Sequence, residues 1–435
     1  MKEIKLGLIG AGTVGGGVVK MMYNSADFFK KLGLSVVLKR IADKDASRLA
    51  GLPTGNAIIS SNAGDILDDK DIDVVIELVG GKTFAKDLIL RALEKGKHVI
   101  TANKALIAEY GPAVFELAEK KNVSVNFEAS VGGGMPVIKS IREALAANRI
   151  FSVKTIINGT CNYILTQMSE KGLDFDTALE KAQKNGYAEA DPALDIGGGD
   201  SGHKVAIMAS LIHGGYVPFS SVSIEGITEI TKDDIDFAKE LGYCIKLLGI
   251  IRKGEDDDLV DVRVHPAMLH KSHVLASVSG AFNAVLMEGD AVGPILLYGK
   301  GAGEMPTASA VMSDIIDVAR TITGGAQKRI PMDYYRLDNK LEVKPMDSVS
   351  MRYYLCFRVL DKPKVLASIA AILGEYRISI ASVLQKEGGA ENCVPVIIIT
   401  HKAVEKNMQA ALKEIEKMDF IKKKTRLIRI AGQAY

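Results

Sequence analysis

The chain begins with a strand, a glycine-rich turn and a helix that follow one another directly. Ile4–Ile9 is a largely apolar run typical of a buried strand, and Gly10–Gly15 reads GAGTVG, which fits the pattern GxGxxG. Gly10 permits the tight turn, Gly12 lets a pyrophosphate approach the backbone, and Gly15 lets helix and strand pack closely. The sequence therefore predicts a dinucleotide-binding unit with the phosphates at the helix N-terminus.

Strands and helices alternate through the first 130 residues, which indicates an α/β fold with a parallel, doubly wound sheet of the Rossmann type. Further strands are predicted at residues 36–42, 73–79, 98–101 and 123–128, and helices at about 85–93 and 112–121. Such sheets bind ligands at the carboxyl ends of their strands. Lys104 follows one of these ends and is a site candidate; the alternative is a surface lysine at a helix start.

The end of the second strand bears on the choice of cofactor. An acid at this position favours NAD, whereas nearby cations favour the additional phosphate of NADP. Asp43 stands here together with Arg40, Lys44 and Arg48, so both kinds of residue are present. We expect NADP, with NAD possible; a solvated strand end is the alternative explanation of the cations.

A second glycine-rich loop follows the fifth strand. Glu128 precedes Gly132–Gly134, and such a loop can expose several backbone carbonyls toward one point. Oxygen ligands of this kind suit a hard cation, and a single acid favours a monovalent one. A plain connection between domains is the alternative.

The stretch Gly186–Lys204 contains four acids and three consecutive glycines but few core-forming side chains. An apolar run with a glycine stop follows and predicts a helix. Asp200 would cap its N-terminus, and Lys204 would lie on the same face one turn later. An acid and an amine would then meet at a loop-to-helix junction. The alternative is a capped helix with an ordinary ion pair.

Composition limits the possible partners. A length of 435 residues allows two or three domains, and a net charge of +2 gives no case for a nucleic-acid or membrane partner. No paired cysteine spacing suggests a zinc site or a disulfide framework, and no cleavable signal or membrane span is evident. We expect a cytoplasmic protein that acts on a small molecule.

The pattern changes along the chain, and four segments are predicted. Residues 1–130 form the dinucleotide-binding domain, completed by about 305–330; residues 131–304 form an α+β substrate and catalytic domain; residues 331–350 form a linker. Residues 351–435 show the order βαββαβ, which is typical of a ferredoxin-like module able to fold alone.

Taken together, four motifs in order resemble the homoserine dehydrogenase family, and the resemblance covers nearly the whole chain. The motifs are Gly10–Gly15, Thr101–Lys104, Asn158–Tyr163 and Gly186–Lys204. The C-terminal module looks like an ACT domain. The resemblance implies NAD(P)-dependent interconversion of L-aspartate 4-semialdehyde and L-homoserine, on the route to threonine, methionine and isoleucine. It also implies that residues 131–304 take part in dimerisation, giving a homodimer or homotetramer.

The resemblance further implies roles for individual residues. Lys204 would exchange a proton with the substrate oxygen, and Lys104 would lie close to nicotinamide and substrate. The residues expected to orient the amino acid are Glu189, Asp195, Asp200 and Thr160. Cofactor contacts are expected from Gly10, Gly12, Thr13, Val14, Gly15, Arg40, Lys104 and Gly303. A sodium-type ion would be bound by the side chain of Glu128 and by backbone oxygens near Val131, Gly133 and Met135.

One departure concerns the ACT module. Effector-binding ACT domains usually carry Asp-x-Pro-Gly at the first strand-to-helix turn, and here Lys364 replaces the glycine. A side chain at this position could block an effector such as threonine, so a purely dimerising module stays open. Two alternatives to the main interpretation also stand: another semialdehyde dehydrogenase on the same scaffold, and a catalytically silent nucleotide sensor.

Overall fold

The structure is a computed structural model that describes residues 2–254, 258–325, 339–385 and 393–432. The strands are β1 Glu3–Ile9, β2 Ser35–Ala42, β3 Ile58–Ser60, β4 Val74–Glu77, β5 His98–Thr101, β6 Val125–Asn126, β7 Ile150–Ile156, β8 Ser223–Ile224, β9 Tyr243–Arg252, β10 Asp261–His270, β11 Phe282–Gly289, β12 Gly293–Lys300, β13 Ser350–Leu360, β14 Ile380–Gln385, β15 Cys393–Thr400, β16 Ala403–Val404 and β17 Ile421–Ile430. The helices are α1 Thr13–Asn24, α2 Ala26–Lys31, α3 Gly64–Leu67, α4 Thr83–Glu94, α5 Lys104–Lys121, α6 Val137–Lys139, α7 Gly159–Lys171, α8 Phe175–Lys184, α9 Ala193–Ile196, α10 Gly199–His213, α11 Lys232–Glu240, α12 Glu304–Thr323, α13 Val365–Glu375 and α14 Glu405–Ile415. None of the helices in these ranges is both long and apolar enough to cross a membrane.

The first sheet confirms the predicted fold class. Its six strands lie in the order β3-β2-β1-β4-β5-β6, and every pair is parallel. The sequence had not indicated β3, because Ile58 and Ile59 are about half exposed and lack the burial that produces a strand pattern. α12 follows α1 by many elements in the chain but packs directly on it. A side chain on Gly17 of α1 would meet Glu304 and Ala308 of α12.

Helix α5 is longer than predicted. The sequence placed its start at about Pro112, but it begins at Lys104, and the side chain of Asn103 caps it by accepting from the Leu106 amide at 3.1 Å. A proline inside a helix leaves the carbonyl four residues earlier without its donor. Here the Tyr216 hydroxyl donates to the Ala108 carbonyl at 3.3 Å, so Pro112 is tolerated. Lys104 is thereby fixed in the first turn of a long helix.

The second sheet is continuous from the middle part of the chain, which contains β7 to β12 (residues 150–300), to the C-terminal module. Its main path is β12-β11-β7-β9-β10-β17-β13-β15-β14. The two parts meet edge to edge, where β10 and β17 run parallel and pair Ala267 with Arg429 and Met268 with Ile430. The C-terminal module has the predicted βαββαβ order, with the short β16 added before its second helix.

The predicted linker is only partly within the described residues, and positions 331–338 lie outside them. Residues 339–344 are attached to the middle of the chain by main-chain hydrogen bonds. Asn339 and Leu341 bond to Tyr216 at 2.9 Å each, and Glu342 and Lys344 bond to Val260, also at 2.9 Å. This part of the segment is therefore packed along the middle of the chain before the C-terminal module begins.

Helix α10 lies in the interior of the middle part. Every residue from Asp200 to Leu211 is buried, and the helix packs against α5, β9 and β10. Charged groups on such a helix have been removed from water and must be paired within the protein.

We predict opposite effects of alanine at two adjacent glycines of α1. A Cβ on Gly15 would lie 2.0 Å from the Gly10 carbonyl oxygen, whereas a Cβ on Gly16 would find its nearest neighbour, Leu52, at 3.7 Å. Gly15→Ala should lower the free energy of unfolding by about 1–3 kcal/mol through overpacking. Gly16→Ala should leave it unchanged or raise it by up to about 1 kcal/mol, because alanine favours helix.

Urea unfolding of both variants measures the difference. Equal stability of the two proteins would contradict close packing of helix and strand at Gly15.

Candidate active site

Asp200 joins two lysines that lie on different helices. Its Oδ1 is 3.1 Å from Lys104 Nζ at the start of α5, and its Oδ2 is 2.7 Å from Lys204 Nζ, one turn along α10. Lys204 also donates to the Ile157 carbonyl at 2.8 Å. The predicted pairing of Asp200 and Lys204 is present, and Lys104 joins them. We call Asp200, Lys104, Lys204, Asn158 and Asp195 the Asp200 cluster.

Asp200 does not cap α10, contrary to the prediction. The helix N-cap is Gly198, which has a left-handed backbone (φ 83°) and makes no side-chain cap. Asp200 lies inside the first turn, and its carboxylate accepts from the lysines. Two charge-assisted bonds to ammonium groups are stronger than a cap bond to a neutral amide, which explains the difference.

The charge state of this cluster follows from its surroundings. Burial alone would raise the pKa of Asp200, but Lys204 and Lys104 outweigh it and hold that pKa well below its usual range. The pKa of Asp195 is raised, first by burial and then by repulsion from Asp200. Asp200 is therefore firmly ionised and two ammonium groups are held beside it.

Asn158 completes the cluster, although the sequence did not single it out as a site residue. Its Oδ1 caps α7 by accepting from the Cys161 amide at 2.7 Å. Its Nδ2 donates to Asp195 Oδ1 at 2.7 Å and to Asp200 Oδ2 at 2.8 Å. An asparagine before a helix predicts the cap, but the two acids reached by its amide nitrogen are distant in sequence and could not be inferred.

The other two predicted substrate residues differ in their placement. Thr160 is buried in the first turn of α7, and its hydroxyl donates to the Tyr187 carbonyl at 2.5 Å, which ties α7 to the 186–204 stretch. Glu189 is exposed, and no hydrogen bond among the described residues joins its carboxylate to the Asp200 cluster. The structure thus brings together Asp195, Asp200, Lys104 and Lys204, but not Glu189.

His203 connects the two helices that carry the lysines. Its Nε2 lies 3.1 Å from Glu109 Oε1 on α5, and its ring stacks on Phe219 with centroids 4.0 Å apart. The pKa of His203 is lowered, mainly by burial. This contact links α10 to α5 one residue away from Lys204, and it had not been predicted.

The glycine turn after β1 has the geometry expected of a phosphate site. Gly10 has φ 97°, and a Cβ there would lie 2.7 Å from the Leu78 carbonyl group. α1 starts at Thr13 with Gly12 as its N-cap, and no side chain caps it. The N-terminus of α1 therefore presents backbone amides without a capping side chain at the carboxyl edge of the sheet.

The residues at the end of β2 separate into two groups. Both oxygens of Asp43 accept backbone hydrogen bonds, from Ala11 at 2.7 Å and from Asp45 at 2.9 Å, so this acid shapes the turn. Asp43, Lys44 and Arg48 all line a cavity of about 310 Å³ beside Gly10. Arg40 is not brought to this cavity, because its guanidinium donates to Asp69 at 2.6 Å.

The predicted cation loop and the loop before α12 contact each other. The Gly134 amide donates to the Lys300 carbonyl at 3.1 Å, and a Cβ on Gly133 would lie 2.5 Å from the Gly301 carbonyl. Gly303, the N-cap of α12, has φ 123°, which a residue with a side chain rarely adopts. The two small-residue loops therefore pack backbone against backbone.

Glu128 is buried next to a second acid. Its carboxylate accepts from the Ile138 amide at 3.0 Å and the Lys139 amide at 2.8 Å, and its own amide donates to Asp314 at 2.9 Å. The pKa of Glu128 is raised to about 8, by burial and then by Asp314, and burial raises the pKa of Asp314 to about 7. In the described ranges, no group of three His, Cys, Asp or Glu side chains is arranged to hold a metal.

Family models match three successive parts of the chain. The model described as "Homoserine dehydrogenase, NAD binding domain" matches residues 10–128, the model "Homoserine dehydrogenase" matches residues 136–316, and the model "ACT domain" matches residues 353–420. Homoserine dehydrogenase of Neisseria gonorrhoeae is 43% identical, with 99% of each chain covered. That of Pseudomonas aeruginosa is 42% identical, with 96% of each chain covered.

Solved structures agree. A homoserine dehydrogenase from Thiobacillus denitrificans superimposes with a TM-score of 0.93 at 43% identity, covering 99% of both chains. A hyperthermophilic archaeal homoserine dehydrogenase in complex with NADPH gives a TM-score of 0.61 at 26% identity, covering 73% of this chain and 98% of that one. Fold, site and matches together define an oxidoreductase with a nicotinamide-dinucleotide domain and a C-terminal ACT domain. The chain belongs to the homoserine dehydrogenase family.

We predict that Asp200→Asn lowers the free energy of unfolding at pH 7 by about 3 kcal/mol, because two ammonium groups lose a buried counter-charge. Since the pKa of Asp200 is lowered by folding, its contribution is present above the unfolded pKa and lost as the pH falls further. The difference from the wild type should narrow only below about pH 4.

Urea unfolding at several pH values measures this. Glu189→Gln, which removes an exposed acid of the same stretch, is the control and should leave stability unchanged. A wild-type level of stability in Asp200→Asn would show that the lysines do not depend on Asp200.

Proposed function

We propose that the Asp200 cluster is the centre at which this chain interconverts L-aspartate 4-semialdehyde and L-homoserine. One observation carries the assignment: two lysine ammonium groups converge on one buried, ionised carboxylate. Lys104 follows β5 at the carboxyl edge of the dinucleotide-binding sheet, the edge at which such sheets bind cofactors. Membership of the homoserine dehydrogenase family supports the choice of substrate.

In the proposed mechanism the lysines act on the substrate oxygen. When bound, the reduced nicotinamide supplies a hydride to the aldehyde carbon. The ammonium of Lys204 donates a proton to the oxygen as it becomes an alkoxide, and in the reverse direction its amine takes that proton back. Lys104 stabilises the negative charge that forms on the same oxygen. Asp200 holds both cations in place before the substrate arrives.

The acids around the lysines are proposed to bind the amino-acid part of the substrate. Asp195 is half-buried and shares the Asn158 amide with Asp200, so a substrate ammonium there would find two carboxylates. Thr160 fixes the stretch that carries these acids. A role for Glu189 is supported only by the family resemblance.

We infer NADP as the preferred cofactor, with NAD possible. Each carboxylate oxygen of Asp43 already accepts one backbone amide, which leaves this acid less free to hold a ribose hydroxyl. Arg48 and Lys44 stand beside the cavity next to Gly10 and can pair with a phosphate. The archaeal relative solved with NADPH supports the inference. Arg40, paired with Asp69, is the weaker candidate. The remaining contacts are proposed from the backbone of Gly10, Gly12, Thr13, Val14 and Gly15, from Lys104 and from Gly303.

We also propose that the Glu128 loop binds a monovalent cation such as sodium. Glu128 and Asp314 are both buried, and the backbone amide of Glu128 donates to the Asp314 carboxylate. Lys139 Nζ lies 3.8 Å from Asp314 but also pairs with Asp317 at 2.5 Å. An added cation would favour the ionised form of both carboxylates, whose pKa values are raised, that of Glu128 by burial and then by Asp314 and that of Asp314 by burial. Glu128 would supply a side-chain oxygen, and Val131, Gly133 and Met135 would supply backbone oxygens.

An amino-acid effector, threonine, is proposed for the ACT domain. Residues 359–367 line a cavity at its first strand-to-helix turn. Lys364 adopts the left-handed backbone conformation (φ 72°) that a glycine would take there, so the turn keeps its shape despite the side chain. The preserved turn supports effector binding, and the lysine side chain would contact the effector from the rim.

A homodimer or homotetramer is proposed as the assembly. Strands β11 and β12 end the second sheet and expose apolar side chains: Phe282, Leu296 and Tyr298 are 37%, 38% and 54% exposed. Phe282 and Tyr298 stack with ring centroids 5.1 Å apart. An exposed apolar patch on a sheet edge fits contact with a second copy.

We predict that Lys204→Ala lowers kcat by about 10²–10⁴-fold, because the general acid is lost, while NADPH binding stays nearly intact. Steady-state rates with aspartate semialdehyde and fluorescence titration of NADPH measure the two effects. Lys184→Ala, at the exposed end of α8, is the control and should behave as the wild type. If Lys204→Ala weakens NADPH binding and spares kcat, Lys204 is not the acid. No turnover by the wild type with either cofactor would refute the proposed function.

We predict that Arg48→Ala raises the KM for NADPH by about tenfold and hardly changes the KM for NADH, since a charged bond to the additional phosphate is lost. Arg40→Ala is the matched control, because its ion pair with Asp69 lies away from the cavity. Rates with the two cofactors side by side decide the point. If Arg40→Ala instead raises the KM for NADPH selectively, Arg40 and not Arg48 binds the additional phosphate of NADPH.

A further inference from the structure

A buried arginine of the ACT domain reaches into the middle part of the chain. Arg429 on β17 is 3% exposed. Its Nε and one terminal nitrogen donate to the buried carboxylate of Glu405 at 3.0 and 2.6 Å, and its other terminal nitrogen donates to Glu225 at 2.7 Å. Tyr353 donates to the same Glu405 at 2.9 Å. Arg429 is thus fixed by its own domain and holds a residue of the other.

Glu225 belongs to a short segment, residues 223–227, that packs on the turn before α10. Its first two residues form β8, and the Glu225 amide donates to Val264 on β10 at 2.8 Å. The Ile227 amide donates to the Ile196 carbonyl at 2.8 Å. A Cβ on Gly226 would lie 2.1 Å from that same carbonyl oxygen, so the two backbones touch with no side chain between them.

The turn that receives this contact carries the acids of the Asp200 cluster. A Cβ on Gly198 would lie 3.0 Å from Ile224 and 3.2 Å from the Glu225 carbonyl. Asp195 precedes this turn and Asp200 follows it. Because close-packed backbones transmit displacement, a shift of the 223–227 segment moves both acids relative to Lys104.

We propose that Arg429 of the ACT domain is a positioning residue for the reaction, holding Glu225 so that the 223–227 segment fixes the turn between Asp195 and Asp200. The proposal rests on the function assigned to the Asp200 cluster above. It makes the active site complete only when β17 is in place, and it gives an effector that displaces β17 a direct route to the substrate acids.

Two neighbouring ion pairs between the same parts provide the comparison. Arg426 donates to Glu229 at 2.7 Å, and Arg358 pairs with Asp233. The side chains of Glu229 and Asp233 are 72% and 59% exposed, and that of Glu225 is 48% exposed; the arginine partners differ more, since Arg429 is buried whereas Arg426 and Arg358 are 31% and 26% exposed. Exposed pairs of this kind contribute little to stability, and within the described part of the chain neither pair is bonded to the turn before α10.

Glu225→Ala in the full-length protein tests the proposal, with Glu229→Ala as the matched control. We expect Glu225→Ala to lower kcat/KM for aspartate semialdehyde by about tenfold with an unchanged Kd for NADPH, because the substrate acids shift and the cofactor domain does not. Glu225→Gln should recover most of the activity, since its amide oxygen still accepts from Arg429. Hydrogen exchange should increase in residues 194–202 of Glu225→Ala only.

The outcomes distinguish the proposed function of the Asp200 cluster from the positioning role of Arg429 and Glu225. A wild-type enzyme without turnover refutes the proposed function, and hydrogen exchange then still reports whether Glu225 holds the turn. With an active wild type, an unchanged kcat/KM in Glu225→Ala overturns the positioning role, even if the melting temperature falls. Equal losses in Glu225→Ala and Glu229→Ala overturn it as well, as does unchanged exchange in residues 194–202.

Discussion

The contact of one buried carboxylate with two ammonium groups sets the requirements that the surrounding fold must meet. A lone charge removed from water is strongly unfavourable, so Asp200, Lys104 and Lys204 stabilise one another only if α5 and α10 lie at a fixed separation. The His203–Glu109 contact joins α10 to α5, and the Asn158 amide ties Asp200 to the start of α7. Asp200, Lys104 and Lys204 by themselves comprise one acid and two lysines, which suits an oxygen that becomes negative during reaction.

Features with local causes could be predicted from the sequence. The strand, the glycine turn and the helix at the start follow from backbone requirements that only glycine meets, and the structure has them at nearly the predicted positions. The Asp200–Lys204 pair was predictable because residues four apart share a helix face. The start of α5 was not, because tolerance of Pro112 depends on Tyr216, which lies far away in sequence.

Features with distant causes could not be predicted. The place of Arg40 near a strand end predicts a phosphate contact, yet Asp69 from another loop pairs with its guanidinium, and Arg48 reaches the cavity instead. Asp43 has the position of a ribose ligand, but each of its carboxylate oxygens accepts a hydrogen bond from a nearby backbone amide. The pairing of the last ACT strand with β10 joins residues that are likewise far apart in the sequence. In each case the residues are evident from the sequence, but their partners depend on how separate parts of the chain come together.

The pairing of β10 with β17 also covers part of two sheet edges. Each strand would otherwise present a row of unsatisfied amides and carbonyls at a sheet edge, and such edges recruit strands from other molecules. In the folded chain two residues of each strand pair with the other strand, and the Ala431 amide extends the pairing by donating to Met268 at 3.0 Å. The last strand of the ACT domain therefore covers part of the exposed edge of β10. A domain that replaced the ACT domain would need a strand able to pair with β10 in the same register.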